Sequence, residues 1–199
     1  MKRRVILTSI AVIGLALVGA FSRNESRALG QQEHFNLVHH LSSSASLDVW
    51  QINNPEVRQS IIRLKQIQFK PGDKITIEAG GCVQTGGKGK TWKRYVDPIA
   101  DAADLYHGLV GIPRPEIHRF TQSSKVPGLV RIQDVTGKSW TIVDSKDEHE
   151  GDYGFSYLVL GYEDDNYQDN GYRDFDEGTE DQCKGAGNAW VKISIEHHP

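Results

Sequence analysis

Alternation of polar and apolar residues at period two is the feature that most restricts how this chain can fold. Lys74-Ile75-Thr76-Ile77-Glu78-Ala79 alternates throughout, and Pro71-Gly72-Asp73 before it carries a turn. Ala189 to Glu196 repeats the pattern, with Trp190, Lys192 and Ser194 set against Val191, Ile193 and Ile195. Side chains that alternate in this way line opposite faces of a strand, so one face can be buried and the other left in water. Trp140-Thr141-Ile142-Val143 and the aromatic and aliphatic run from Tyr153 to Tyr162 have the composition of further strands. Ser60 to Phe69 also reads as a strand, with Ile61, Arg63, Lys65 and Ile67 on one side, and its mixed alternation predicts a bulge. No window carries an apolar stripe at helical spacing, and no internal repeat is visible. Several strands separated by long turns predict an all-β fold built as an antiparallel sandwich.

The N-terminus predicts export. Met1-Lys2-Arg3-Arg4 is basic, and Val5 to Phe21 carries no charge. A basic start followed by an apolar run is the layout of a signal peptide. Val18-Gly19-Ala20 offers small residues for cleavage, with Ala28-Gly30 as a second position, and an uncleaved anchor helix is the competing reading. No cysteine for lipid attachment follows the apolar run, and nothing later is apolar enough to span a bilayer. The expected organisation is a signal peptide over 1–28, a polar extension able to remain disordered over 29–46, and one sandwich domain over 47–199. The expected location is secreted or periplasmic, with no stable membrane insertion after cleavage. Losing residues 1–20 removes three cations and moves the formal charge from -3 to -6. A protein this acidic does not suit nonspecific nucleic-acid binding, which rests on cationic contacts to phosphate.

An exported chain with two cysteines is expected to pair them, here Cys82 with Cys183. The bridge would close a loop of about 100 residues, worth ~4–5 kcal/mol in the chain-entropy account. Each cysteine lies in or beside an unusual loop. Gly80 to Lys90 contains Gly80, Gly81, Gly86, Gly87 and Gly89; Glu163 to Asp181 holds nine carboxylates and one cation, Arg173. The bridge would bring the two loops together. So many like charges repel unless something neutralises them. In an exported protein the hard cation at hand is calcium, which takes six to eight oxygens from carboxylates, amides and carbonyls. Asp164, Asp165, Asp169 and Asn170 are spaced so that one tight turn can gather several oxygens, and the competing reading is a solvated acidic loop.

Several tempting motifs fail. An EF-hand register that puts Gly171 and Glu177 in place starts on Asn166 rather than Asp and lacks flanking helices. Gly89-Lys90-Thr91 ends like a phosphate loop, but Gln84 stands where its first glycine is needed. The glycines serve better to allow positive φ and a close backbone approach, letting the carbonyl of Gln84 or Thr85 face the acidic loop. Neither a G-x-S-x-G nor an H-E-x-x-H motif is present. Trp92-Lys93-Arg94-Tyr95 suits an anchor for a long loop better than a sugar platform. His34, His39 and His40 read as a solvated tail rather than a metal tract.

Pro71-Gly72-Asp73-Lys74-Ile75-Thr76-Ile77-Glu78-Ala79-Gly80-Gly81 resembles the early strand and loop of the PA-I type galactophilic bacterial lectins. Leu160-Gly161-Tyr162-Glu163-Asp164, followed by Tyr167, Asp169, Asn170 and Gly171, resembles the family's second loop, and Ala189 to Ile195 fits its closing strand. The match covers about a third of the mature chain. It implies a galactose-binding-like jelly-roll sandwich that binds calcium and, through calcium, two hydroxyls of a galactose-type sugar. On that resemblance Asp164 matches the liganding Asp, Thr85 takes the role of the backbone carbonyl, and Asp169 and Asn170 stand where the family has an amide pair. The metal set is then Asp164, Asp165, Asp169, Asn170 and Thr85. Sugar contacts would involve Asp164, Asp169 and Asn170, with Asp97 and His107 as candidates from the middle loop, although His107 also reads as a hydrogen-bonded interior histidine. Asp at 169 adds charge relative to the family, and Asp174 to Asn188 reads as an insertion. Three functions remain open: a calcium-dependent carbohydrate-binding module, a structural module whose loops are pinned by calcium or the disulfide, and a secreted hydrolase using the acidic loop.

Overall fold

The computed structural model describes residues 34–85, 91–98, 105–113, 119–143, 156–172 and 183–199. The expected signal peptide lies outside the described residues, as do Gly86–Lys90 of the glycine loop and Arg173–Asp181 of the acidic loop. The first strand, β1, spans Leu37–Ser43, followed by β2 (Leu47–Asn53), β3 (Ile61–Gln68) and β4 (Lys74–Gly80). Short strands β5 (Cys82–Thr85), β6 (Trp92–Arg94), β7 (Gly108–Gly111), β8 (Val130–Arg131) and β9 (Ser139–Thr141) come next. The chain closes with β10 (Tyr157–Tyr162), β11 (Asn170–Gly171) and β12 (Trp190–Glu196).

All strand ladders are antiparallel, in three sheets: β1-β2-β12-β4-β9, β3-β10-β7-β8 and β11-β5-β6. The alternation read from the sequence decides which face is dry. On β4 and β12, Ile75, Ile77, Val191, Ile193 and Ile195 are buried, and each such side chain is worth ~1.5–3 kcal/mol on removal from water. They share one core with Ile62 and Leu64 of β3, Leu158 and Leu160 of β10, Val110 of β7 and Val130 of β8. The two larger sheets therefore face each other across an apolar interior, a β-sandwich-like arrangement. Cross-strand polar pairs stand outside, with Lys192 donating to Glu78 at 2.8 Å and Lys74 to Glu196 at 3.1 Å.

Two readings are refined. The bulge expected in the Ser60 to Phe69 segment is present, because Tyr157 pairs with Gln68 while Leu158 pairs with Leu64. It puts Ile67 on the buried side with Ile62 and Leu64, while Arg63 and Lys65 are exposed, so Ile61, Arg63, Lys65 and Ile67 do not form one face. The polar extension expected over 29–46 is corrected for its second half. Residues 37–43 form β1, which pairs with β2 from Leu37 opposite Asn53 to Ser43 opposite Asp48. The strand is polar because it lies at a sheet edge with little of its surface buried, so it gives no hydrophobic signal. Backbone pairing and a stacked His40–Trp50 contact, with ring centroids 3.8 Å apart, hold it instead.

Candidate cation site at the loop junction

The bridge between Cys82 and Cys183 is formed, and Trp92 packs against it with all three side chains buried. This is the anchoring role expected of the Trp92 segment. Gly81, at φ 80°, makes the approach possible: a Cβ there would stand 2.1 Å from the Asn188 carbonyl oxygen. The two loops are joined more directly than by the disulfide, since β11 pairs with β5 and sets Asn170 opposite Thr85 and Gly171 opposite Gln84.

Asp164 follows β10 immediately and is 3% exposed. Its Oδ1 accepts from the backbone N–H groups of Asp165 at 2.6 Å and Asn166 at 3.1 Å. Its Oδ2 is buried and accepts no hydrogen bond from any described residue. Burial raises the Asp164 pKa above the usual aspartate range; the N–H groups of Asn166 and Asp165 that donate to Oδ1 oppose this, and the Asp165 carboxyl adds to it. Asn170 is 1% exposed, and its Nδ2 donates to the Val57 carbonyl at 2.8 Å. A carbonyl can only accept, so the amide must point its nitrogen there, which fixes Oδ1 as the second buried acceptor without a described donor. The main chain is held as firmly: Arg58 Nε donates to the Asn170 carbonyl at 2.9 Å, and the Tyr172 hydroxyl to the Pro55 carbonyl at 2.8 Å.

The remaining candidates divide. Asp165 and Asp169 are exposed, with Asp169 Oδ2 accepting from Asn166 Nδ2 at 2.9 Å. Thr85 is half-buried and its N–H donates to the Thr91 carbonyl at 2.9 Å. His107 is buried, its Nδ1 lies 3.1 Å from Gln133 Oε1, and its carbonyl accepts from the Glu163 N–H at 2.9 Å. That is the setting of an interior histidine. Asp97 is exposed, and no hydrogen bond or ion pair among the described residues joins it to Asp164. The structure thus gathers Asp164, Asn170 and Thr85 at one junction, with Asp165 and Asp169 at its outer side.

Glu163 was not singled out by the sequence beyond its place among the nine carboxylates. It is fully buried, its Oε2 lies 3.0 Å from Arg131 Nε, and its Oε1 is a third buried acceptor without a described donor. A carboxylate next to a strong strand is a weak hint of such a pair, and nothing in the sequence near Arg131 names the partner.

The fit to a cation follows from the donor set. Asp164 Oδ2 and Asn170 Oδ1 are hard oxygens that can only accept, and leaving each buried without a partner costs about 1–3 kcal/mol. A hard cation meets that need, and calcium coordination draws on amide and backbone oxygens as readily as on carboxylates. No group of three or more His, Cys, Asp or Glu suited to a metal occurs among the described residues. A site made from one or two carboxylates, an amide and carbonyls would not form such a group. Among the described residues no helix is long and apolar enough to cross a membrane. Compared with known proteins, the chain matches no protein-family model, no curated sequence and no solved structure.

Proposed function

We propose that this chain is an exported, calcium-dependent carbohydrate-binding module, a jelly-roll sandwich of the galactose-binding-like kind. The single observation that carries the calcium part is the pair of buried acceptor oxygens, Asp164 Oδ2 and Asn170 Oδ1, at the junction where Asn170 faces Thr85. Asp164, Asn170 and the Thr85 carbonyl would hold the ion, with Asp165 and Asp169 on the solvent side. Bound there, calcium would supply coordination positions that vicinal sugar hydroxyls can fill in place of water. The disulfide is in keeping with a non-cytoplasmic location, and the acidic charge left after leader removal suits a sugar better than a nucleic acid. The carbohydrate step leans on the resemblance to the galactophilic lectins.

One observation favours a second reading. Asp164 and Asn170 are 3% and 1% exposed, so an ion between them could be enclosed and serve only to pin the loops. Calorimetric titration of the full chain with calcium, then with galactose and other monosaccharides, separates the two. Calcium binding lost in Asp164→Ala together with a sugar signal abolished by chelator supports the lectin. Calcium binding with no sugar response leaves the structural module, and no calcium binding rejects both.

A further inference from the structure

Residues 54–58 follow β2, belong to no strand and touch the cation site. Peptide groups outside a ladder still need partners. Here they are found alternately on two sides. The Asn54 carbonyl accepts from the Asn36 N–H at 2.8 Å, and the Glu56 N–H donates to Asn36 Oδ1 at 2.9 Å. The Pro55 carbonyl accepts from the Tyr172 hydroxyl at 2.8 Å, and the Val57 carbonyl from Asn170 Nδ2 at 2.8 Å. One side of the loop is therefore held by the N-terminal segment and the other by the segment that carries Asn170. Arg58 joins the same two sides. Its Nε donates to the Asn170 carbonyl at 2.9 Å, and its guanidinium lies 4.9 Å from the centre of the Phe35 ring, which also meets the Tyr172 ring at 5.8 Å. Asn36 and Asn54 stand at φ 51° and 50°, a region asparagine tolerates.

Asn170 keeps Oδ1 available as an acceptor because its Nδ2 is engaged by the Val57 carbonyl. The Val57 side chain is fully buried and keeps the loop in the core, while the direction of the loop's polar groups is set from its two sides. β1 buries little of its own surface, and edge segments of that kind open locally at low free energy. From this geometry we infer that residues 34–43 are a latch on the cation site: docking of the latch and binding of calcium strengthen each other through residues 54–58. The inference rests on the calcium part of the proposed function and is independent of the carbohydrate step. Such coupling is reciprocal, so the factor by which calcium favours the docked latch equals the factor by which the docked latch favours calcium.

The test is hydrogen exchange of the full chain in chelator and in saturating calcium, read by mass spectrometry, beside calcium calorimetry on the parent and on Phe35→Ala/Asn36→Gly. That variant removes the ring that meets Arg58 and Tyr172 and the oxygen that accepts from the Glu56 N–H, while glycine keeps the positive φ. Calcium is expected to slow exchange of the β1 amides by about fivefold or more and to leave β9, the opposite edge of the same sheet, little changed. The variant is expected to bind calcium about fivefold or more weakly. Equal slowing of β1 and β9 would overturn the latch, showing that calcium acts on the whole fold. Unchanged β1 exchange in a parent that binds calcium, or unchanged calcium affinity in the folded variant, would overturn it while leaving the cation site intact. A parent chain that binds no calcium overturns the cation site and the latch together. The exchange comparison uses the parent alone, so it decides the question even where the variant does not fold.

Discussion

Asp164 has one carboxylate oxygen satisfied by two backbone N–H groups and another that no described donor reaches. Asp164→Asn would keep the first acceptor and replace the unpartnered carboxylate oxygen with an uncharged amide N–H2, removing a buried charge. In chelator that variant should be more stable than the parent by about 0.5–1.5 kcal/mol, as read by urea denaturation, while losing its calcium affinity. A second residue-scale device lies at the C-terminus. His197 bridges Asp48 Oδ2 at 3.1 Å and the fully buried Asp73 at 3.3 Å, and His40 lies 3.2 Å from Asp48 Oδ1. The Asp48 hydrogen bond, aided by Asp73 and opposed by burial, raises the His197 pKa. Burial alone would raise Asp48, but hydrogen bonds from Ser43, His197 and His40 outweigh it and hold that carboxyl below its usual value. A raised histidine contributes stability that is fully present below its ordinary pKa of 6.5 and is lost as pH rises through the folded-state value. A lowered aspartate contributes above 3.8 and is lost as pH falls through its folded-state value. The pair therefore stabilises most between those limits. Thermal unfolding from pH 5 to 8 should show the parent losing stability toward the alkaline end relative to His197→Gln, and parallel curves would refute the linkage.

At the scale of elements, the site depends on how β5 is pinned. The bridge between Cys82 and Cys183 closes a loop of 101 residues, which the chain-entropy account values at about 4–5 kcal/mol. Cys82→Ser/Cys183→Ser should lose stability of that order, and its calcium affinity should fall as the β5–β11 ladder loosens. A doubly substituted chain with unchanged calcium affinity would show that the two-residue ladder suffices alone. The packing of β7 is tight at one point: a Cβ on Gly108 would stand 2.5 Å from the Tyr95 ring. Gly108→Ala should cost about 1–3 kcal/mol in urea denaturation. Neither relation was fully visible in the sequence. Two cysteines in a chain expected to be exported announced the bridge, and alternation announced β4 and β12. The two residues of β11 and three of β6 are too few to show a period, and the register that sets Asn170 against Thr85 comes from tertiary packing.

For the whole molecule, the corrected N-terminal boundary matters. Besides β1, the segment from His34 binds back at several points: Asn36 Oδ1 accepts from the Glu56 N–H at 2.9 Å, and Phe35 meets Tyr172 at 5.8 Å and the Arg58 guanidinium at 4.9 Å. Arg58 and Tyr172 flank Asn170, so this segment braces the loop junction. A chain starting at Leu47, the boundary suggested by composition, should be less stable than one starting at Glu33 by about 2 kcal/mol or more, since it loses an edge strand and aromatic and cation–π contacts. Composition missed this because an exposed edge strand looks like a solvated tail until its backbone partner is known. The central claim is that the buried acceptors at Asp164 and Asn170 exist to hold a calcium ion. Its most direct test is thermal unfolding of the full chain in chelator and in calcium, beside Asp164→Asn. A ligand at a hundred times its dissociation constant stabilises by about 2.7 kcal/mol, so the parent should melt higher in calcium and the variant should not respond. A parent chain whose unfolding is the same in chelator and in calcium would contradict the account.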